Sequence, residues 1–114
     1  YKTGTVIKMI AQTPKTPYYA VIFTSVRTNK DEKDYTKMAE LMLNLAKQQP
    51  GFLGEESARN AVGITVSYWK DLESIKAWKQ QTDHKLAQQK GRTDWYKQYK
   101  TRICKVERDY EFEL

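Results

Sequence analysis

YYAVIFTSVR, residues 18 to 27, is the stretch on which the fold turns. It is rich in β-branched and aromatic side chains, lacks Gly and Pro, and therefore reads as a β-strand. Alternation puts Tyr19, Val21 and Phe23 on one face and Ala20, Ile22 and Val26 on the other. Both faces are apolar. A strand in an antiparallel sheet that is covered on one side shows polar residues on the other. This strand asks for cover on two sides.

Upstream lies a lead-in, residues 1 to 17, whose Pro14 and Pro17 set it apart. Its Val6, Ile7, Met9 and Ile10 suit an edge strand, and the prolines argue against continuous pairing. Downstream, Asn29 followed by Glu32 forms a capping-box-like pair. The helix it announces carries Tyr35, Met38, Ala39, Met42, Leu45 and Ala46 at helical spacing, and Pro50-Gly51 stops it. FLGEESAR (52–59) and GITVSYW (63–69) flank Asn60-Ala61 and read as a hairpin. Asp71 is placed to cap a helix through Leu72, Ile75 and Trp78. A short third helix is expected after Thr93-Asp94, through Trp95, Tyr96 and Tyr99. TRICKVERDYEF (101–112) supplies a last strand whose Tyr110 and Phe112 share a face.

The order is strand, helix, strand, strand, helix, strand, an α+β class fold of the ferredoxin-like βαββαβ type. Two main helices then cover one face of a four-stranded antiparallel sheet. The cheapest cover for the other face is a second copy of the same sheet, which predicts a homodimer. The expected domain spans residues 18–112, with 1–17 as its lead-in.

Composition narrows the function. With 114 residues, 39% hydrophobic and 30% charged, the chain suits one domain. Mean hydropathy is -0.81, and no segment approaches the roughly 20 apolar residues that span a bilayer, so no membrane partner and a cytoplasmic location are expected. Cys104 is the only cysteine and His84 the only histidine, which leaves no internal disulfide and no dense metal-ligand cluster. Cys104 reads as a small buried hydrophobe. The net charge of +6 is spread along the chain and mixed with acidic residues, and no nucleic-acid-binding module is recognisable.

QQPGFLGEES (48–57), GITVSYWKDLESIKAWKQQTDHKLAQQKGR (63–92) and the closing WYKQYKTRICKVERDY together resemble the antibiotic biosynthesis monooxygenase superfamily. The correspondence runs through a P-G-F strand start, a strand ending in Trp69, a helix carrying Trp78, the downstream His84 and a closing strand. The resemblance implies a dimeric α+β barrel and an oxidoreductase-like activity. One branch oxidises electron-rich polycyclic phenols without a cofactor. It implies a dry pocket between sheet and helices that takes an aromatic small molecule, with Phe23, Thr24, Trp69 and Trp95 as substrate-binding candidates. His84 is then the candidate base, because a histidine side chain changes charge near neutral pH, and Trp78 stands beside it as a catalytic candidate.

A second branch degrades haem, which makes haem the alternative cofactor. Trp78 matches that branch's helical Trp, while Thr24 stands near its first-strand Asn and Gln88 stands where it has a His. A non-enzymatic ligand-binding or dimerisation module is a third reading.

The role of His84 depends on one local detail. On a single continuous helix, Ile75, Trp78, Thr82 and Leu86 share a stripe and His84 lies on the opposite, solvated side. A break near Gln81, Thr82 and Asp83, with Thr82 or Asp83 capping a new helix, rotates His84 inward. Arg59 and Asn60 read as turn and surface residues, and Arg92, Lys97, Lys100 and Arg102 as a local basic cluster.

Overall fold

The computed structural model describes residues 9–30, 32–89 and 95–114, with side chains for all of these except 85–89. The elements are β1 (Tyr18–Arg27), α1 (Glu32–Lys47), β2 (Phe52–Arg59), β3 (Gly63–Trp69), α2 (Leu72–Gln89) and β4 (Tyr96–Val106). The strands pair antiparallel in the order β2-β3-β1-β4, the ferredoxin-like arrangement. The strand that is apolar on both faces is thus central. Val21 sits opposite Ser67 of β3 and Ile103 of β4.

Local chemistry explains where the helices start. Asp71 Oδ1 accepts the Ser74 backbone N–H at 2.8 Å, as its position in the sequence predicts, and opens α2. Lys70 N–H donates to the Gly51 carbonyl at 2.8 Å, so the chain before α2 lies against the start of β2. A Cβ at Gly51 would lie 2.5 Å from Ser74 Cβ, so this approach needs glycine. In α1 the acidic Glu32 and Asp34 lie in the first turn and Lys47 in the last, matching the helix dipole. The expected Asn29–Glu32 capping pair is replaced by another contact. Asn29 takes a left-handed φ of 70°, and the Glu32 carboxylate faces the buried Arg27 guanidinium at 3.5 Å. A buried cation requires an anion more than a backbone cap does.

The core gathers Val21, Ala46, Trp69 and Ile75, with Tyr19, Phe52 and Trp78 packed against them. Trp69 is 0% exposed, and its indole N–H donates to Ser67 Oγ at 2.9 Å. Of the expected short helix, Trp95 is helical, whereas Tyr96 to Tyr99 form the beginning of β4, where Tyr96 pairs with Arg27 and Tyr99 with Ser25. Aromatic side chains suit a pleated, half-buried surface, and pairing with the central strand decides the outcome. Thr93, Asp94 and Arg92 lie outside the described residues. Because β4 ends at Val106, Tyr110 and Phe112 extend beyond the sheet and are 84% and 85% exposed.

On the face turned away from the helices, Ala20, Ile22 and Thr24 stand between Tyr68, Val66 and Ile64 of β3 and Cys104, Arg102 and Lys100 of β4. Residues 9–17 form no strand but pack on one end of this face. Ala11 N–H donates to Glu56 Oε2 at 2.9 Å, and Tyr68 OH donates to Glu56 Oε1 at 2.6 Å. Tyr18 OH accepts from Thr13 Oγ1 at 3.0 Å and donates to Asp109 Oδ2 at 2.5 Å. The lead-in and the tail therefore meet at Tyr18, which is buried.

Candidate functional site

Between the sheet and the two helices lies a cavity of about 220 Å³. Its floor follows from strand register. One row runs Glu55, Ser67, Val21, Ile103, and the next runs Ser57, Thr65, Phe23, Thr101. The α1 wall is the stripe Tyr35, Met38, Ala39, Met42, Leu43 and Ala46, and α2 contributes Ile75, Trp78, Lys79, Thr82 and Asp83. Aromatic rings and two flexible methionines make a wall suited to a flat apolar ligand.

Rings from three elements close one end. Phe23 lies 5.6 Å from Tyr96 and 5.4 Å from Tyr99, and Tyr35 lies 5.9 Å from Trp95 and 5.8 Å from Tyr96. Arg27 backs this cluster, with its guanidinium carbon 3.4 Å from the Tyr35 ring centre and its Nε–H donating to the Trp95 carbonyl at 3.2 Å. Burial and a hydrogen bond with Tyr35 push the Tyr96 phenol well above the usual tyrosine range, so this phenol is neutral at physiological pH. Arg59 is exposed, as expected of a surface residue, and its guanidinium also lies over Gly63 and donates to the buried Ser25 Oγ at 2.6 Å.

The polar groups of the opposite end are few. Lys79 and Asp83 pair with each other at 3.0 Å, and Thr82 Oγ1 donates to the Lys79 carbonyl at 3.1 Å. Glu55 is half-buried on the floor. Burial raises its carboxyl above the usual range, against a smaller lowering by Lys47. Its inward position comes from a backbone irregularity. Phe52 packs inward on Trp69 at 5.4 Å between ring centres, and simple alternation would then turn Gly54 and Glu56 inward as well. A bulge between Phe52 and Gly54 shifts the register, so Glu55 faces the cavity while Glu56 bonds Tyr68 on the far face.

Of the residues singled out in the sequence, Phe23, Trp78 and Trp95 line the cavity. Trp78 also stacks at 5.1 Å on Trp69 and donates its indole N–H to the Met42 carbonyl at 3.4 Å. Trp69 lies behind it as core. Thr24 points to the other face of the sheet by register, paired with Ile64 and Lys100. His84 is exposed on α2, which runs unbroken through Gln81–Asp83, and it is not among the lining residues. Glu55 and the Tyr35–Tyr96 pair were not singled out, because their positions depend on the bulge and on a strand where a helix was expected. Among the described residues, no group of three or more His, Cys, Asp or Glu side chains gathers as a metal site. Among them too, no helix is long and apolar enough to cross a membrane.

Comparison with known proteins agrees with this architecture. Among curated proteins, the uncharacterised protein YqjZ of Bacillus subtilis (strain 168) is 48% identical over 106 residues, covering 91% of this chain and 92% of YqjZ. Among solved structures, SnoaB of Streptomyces nogalater, a cofactor-independent oxygenase, superposes with a TM-score of 0.66 at 9% identity, over 82% of this chain and 97% of SnoaB. A dimeric ferredoxin-like protein from an uncultured marine organism gives a TM-score of 0.64 at 8% identity, over 86% and 95% of the two chains. At such identities these structures speak to the fold alone. The sequence profile of the antibiotic biosynthesis monooxygenase family matches residues 17–90, and with that match the chain belongs to the antibiotic biosynthesis monooxygenase family.

Proposed function

We propose that the protein binds a flat, electron-rich aromatic molecule of phenolic type in the cavity between sheet and helices, and oxidises it with O₂ without a cofactor. The observation that carries this reading is the cavity itself, about 220 Å³ with Phe23, Tyr35, Trp78, Trp95, Tyr96 and Tyr99 in its walls. In such an oxidation a ring C–H becomes a quinone C=O. One atom of O₂ enters the ring, the other leaves as water, and every electron comes from the substrate. The protein's share is to hold the ring, exclude water and accept or hold the phenolic proton. Family membership and the fold shared with SnoaB support this reading.

The walls are assigned to Phe23, Trp78 and Trp95. With His84 exposed and outside the lining, the proton-handling role expected of it falls to a group on the cavity wall. For the haem alternative, the described lining holds no His or Cys, and the side chains of a kind that hold haem iron are Met38, Met42, Tyr35, Tyr96 and Tyr99.

The reading includes a homodimer built sheet on sheet. Its support is the apolar centre of the sheet face turned away from the helices and the fold shared with a dimeric ferredoxin-like protein.

The test is aerobic incubation of protein stripped of metals and flavins with a panel of polycyclic phenols, followed by oxygen consumption and product mass. Incorporation of one atom from labelled O₂, lost in Trp78→Ala with the fold intact, is the expected result. Saturable binding with no oxygen uptake across the panel would leave a binding module. A haem titration gives no saturable Soret band if the cofactor-free reading holds.

A further inference from the structure

We propose that Glu55 selects the ligand: its carboxylate accepts a hydrogen bond from a neutral hydroxyl on the bound aromatic and rejects aromatics that carry a carboxylate at that end. This rests on the cavity being the ligand site, and it adds the residue and the chemistry that decide which aromatics enter.

The neighbouring polar groups on the lining already have partners. Ser67 Oγ accepts from the Trp69 indole at 2.9 Å, Lys79 pairs with Asp83 at 3.0 Å, and Thr82 Oγ1 is turned to the Lys79 carbonyl at 3.1 Å. Among the described residues, the Glu55 carboxylate accepts no hydrogen bond. An ionised carboxylate offers several acceptor sites, and a half-buried one has lost part of its water. A ligand donor would restore what burial removed. The upward shift that burial imposes on Glu55 agrees with that unmet demand.

The surrounding charges rule against an anionic ligand at this end. Lys79 is already paired with Asp83, so it is not free to neutralise a ligand carboxylate beside Glu55. A neutral hydroxyl brings no such repulsion and supplies the donor that Glu55 lacks.

The experiment titrates 1-naphthol, 1-methoxynaphthalene and 1-naphthoate into the full chain, followed by tryptophan fluorescence at about pH 8, above the ordinary carboxylate range. Wild type, Glu55→Gln and Glu55→Leu are compared after circular dichroism has shown each to be folded. Wild type is expected to bind naphthol about tenfold tighter than its methyl ether, the scale of a hydrogen bond to a charged group, and naphthoate weakest. Glu55→Leu loses the preference for naphthol over the ether, and Glu55→Gln binds naphthoate several-fold tighter than wild type does. If all three probes bind, the preference survives in Glu55→Leu and naphthoate gains nothing in Glu55→Gln, then the assignment of Glu55 is overturned while the cavity remains the ligand site. If no probe binds wild type, the cavity reading falls and the role of Glu55 with it.

Discussion

Trp69 and Trp78 touch each other at 5.1 Å and yet do different work. Trp69 is wholly enclosed, with its indole N–H satisfied by Ser67, so removing it opens a void that the surrounding sheet cannot fill. Trp69→Ala is expected to cost about 3–5 kcal/mol in urea unfolding. Trp78 has one face on that core and one on the cavity, so Trp78→Ala should cost less stability and show itself in ligand affinity. Glu55 carries the opposite signature. Its carboxyl sits above its unfolded value, so the native state holds this proton more tightly than the unfolded chain does. Its contribution to stability is fully present below the unfolded carboxylate range and is lost as pH rises through the raised value. Glu55→Gln should therefore melt higher than wild type near neutral pH, with the advantage vanishing toward pH 4, as thermal scans at both values would show. A substitution that stabilises the fold and alters ligand choice marks a group kept for function.

At the scale of elements, most of the architecture was readable because local signals and tertiary pairing agree. The β1, β2 and β3 spans appear in the sequence as runs with strand composition, and Asp71 announces α2 by its side-chain chemistry. Asp71→Ala should lower the denaturation midpoint, by loss of the cap on the Ser74 N–H, without changing the sheet. The misread elements have physical causes. Trp95 to Tyr99 fit a helix by local spacing, and Trp95 is helical, but Tyr96 and Tyr99 are held as strand by Arg27 and Ser25 across the ladder. The break that would have turned His84 inward does not occur, because Thr82 Oγ1 bonds back to the Lys79 carbonyl and Asp83 pairs with Lys79 one turn earlier. Both capping candidates are thus used inside a continuous helix. Glu55 was hidden by the bulge, since Glu55 and Glu56 are adjacent and only a one-residue shift decides which faces the cavity.

For the whole molecule, the open question is what covers the second face of the sheet. Its central row reads Glu56, Val66, Ile22, Arg102 across the four strands, an apolar middle between charged edges. Residues 9–17 of the lead-in cover one end, where Ala11 reaches Glu56 and Thr13 reaches Tyr18. The tail leaves Asp109 at that same end and carries Tyr110 and Phe112 into solvent. A second sheet laid on this face would bury Ile22 and Val66, and association would then add stability by mass action. Sedimentation equilibrium is expected to give a dimer at micromolar concentration, with a melting temperature that rises with protein concentration. Val66→Lys is the discriminating variant. In a monomer its ammonium reaches water beside Glu56 on the sheet surface, so the fold survives. In a sheet-on-sheet dimer it is trapped between apolar faces, so the variant should sediment as a folded monomer whose melting no longer depends on concentration. A wild-type monomer, or a Val66→Lys protein that remains a dimer, would place the interface elsewhere and leave the two-faced β1 to be explained by the lead-in alone.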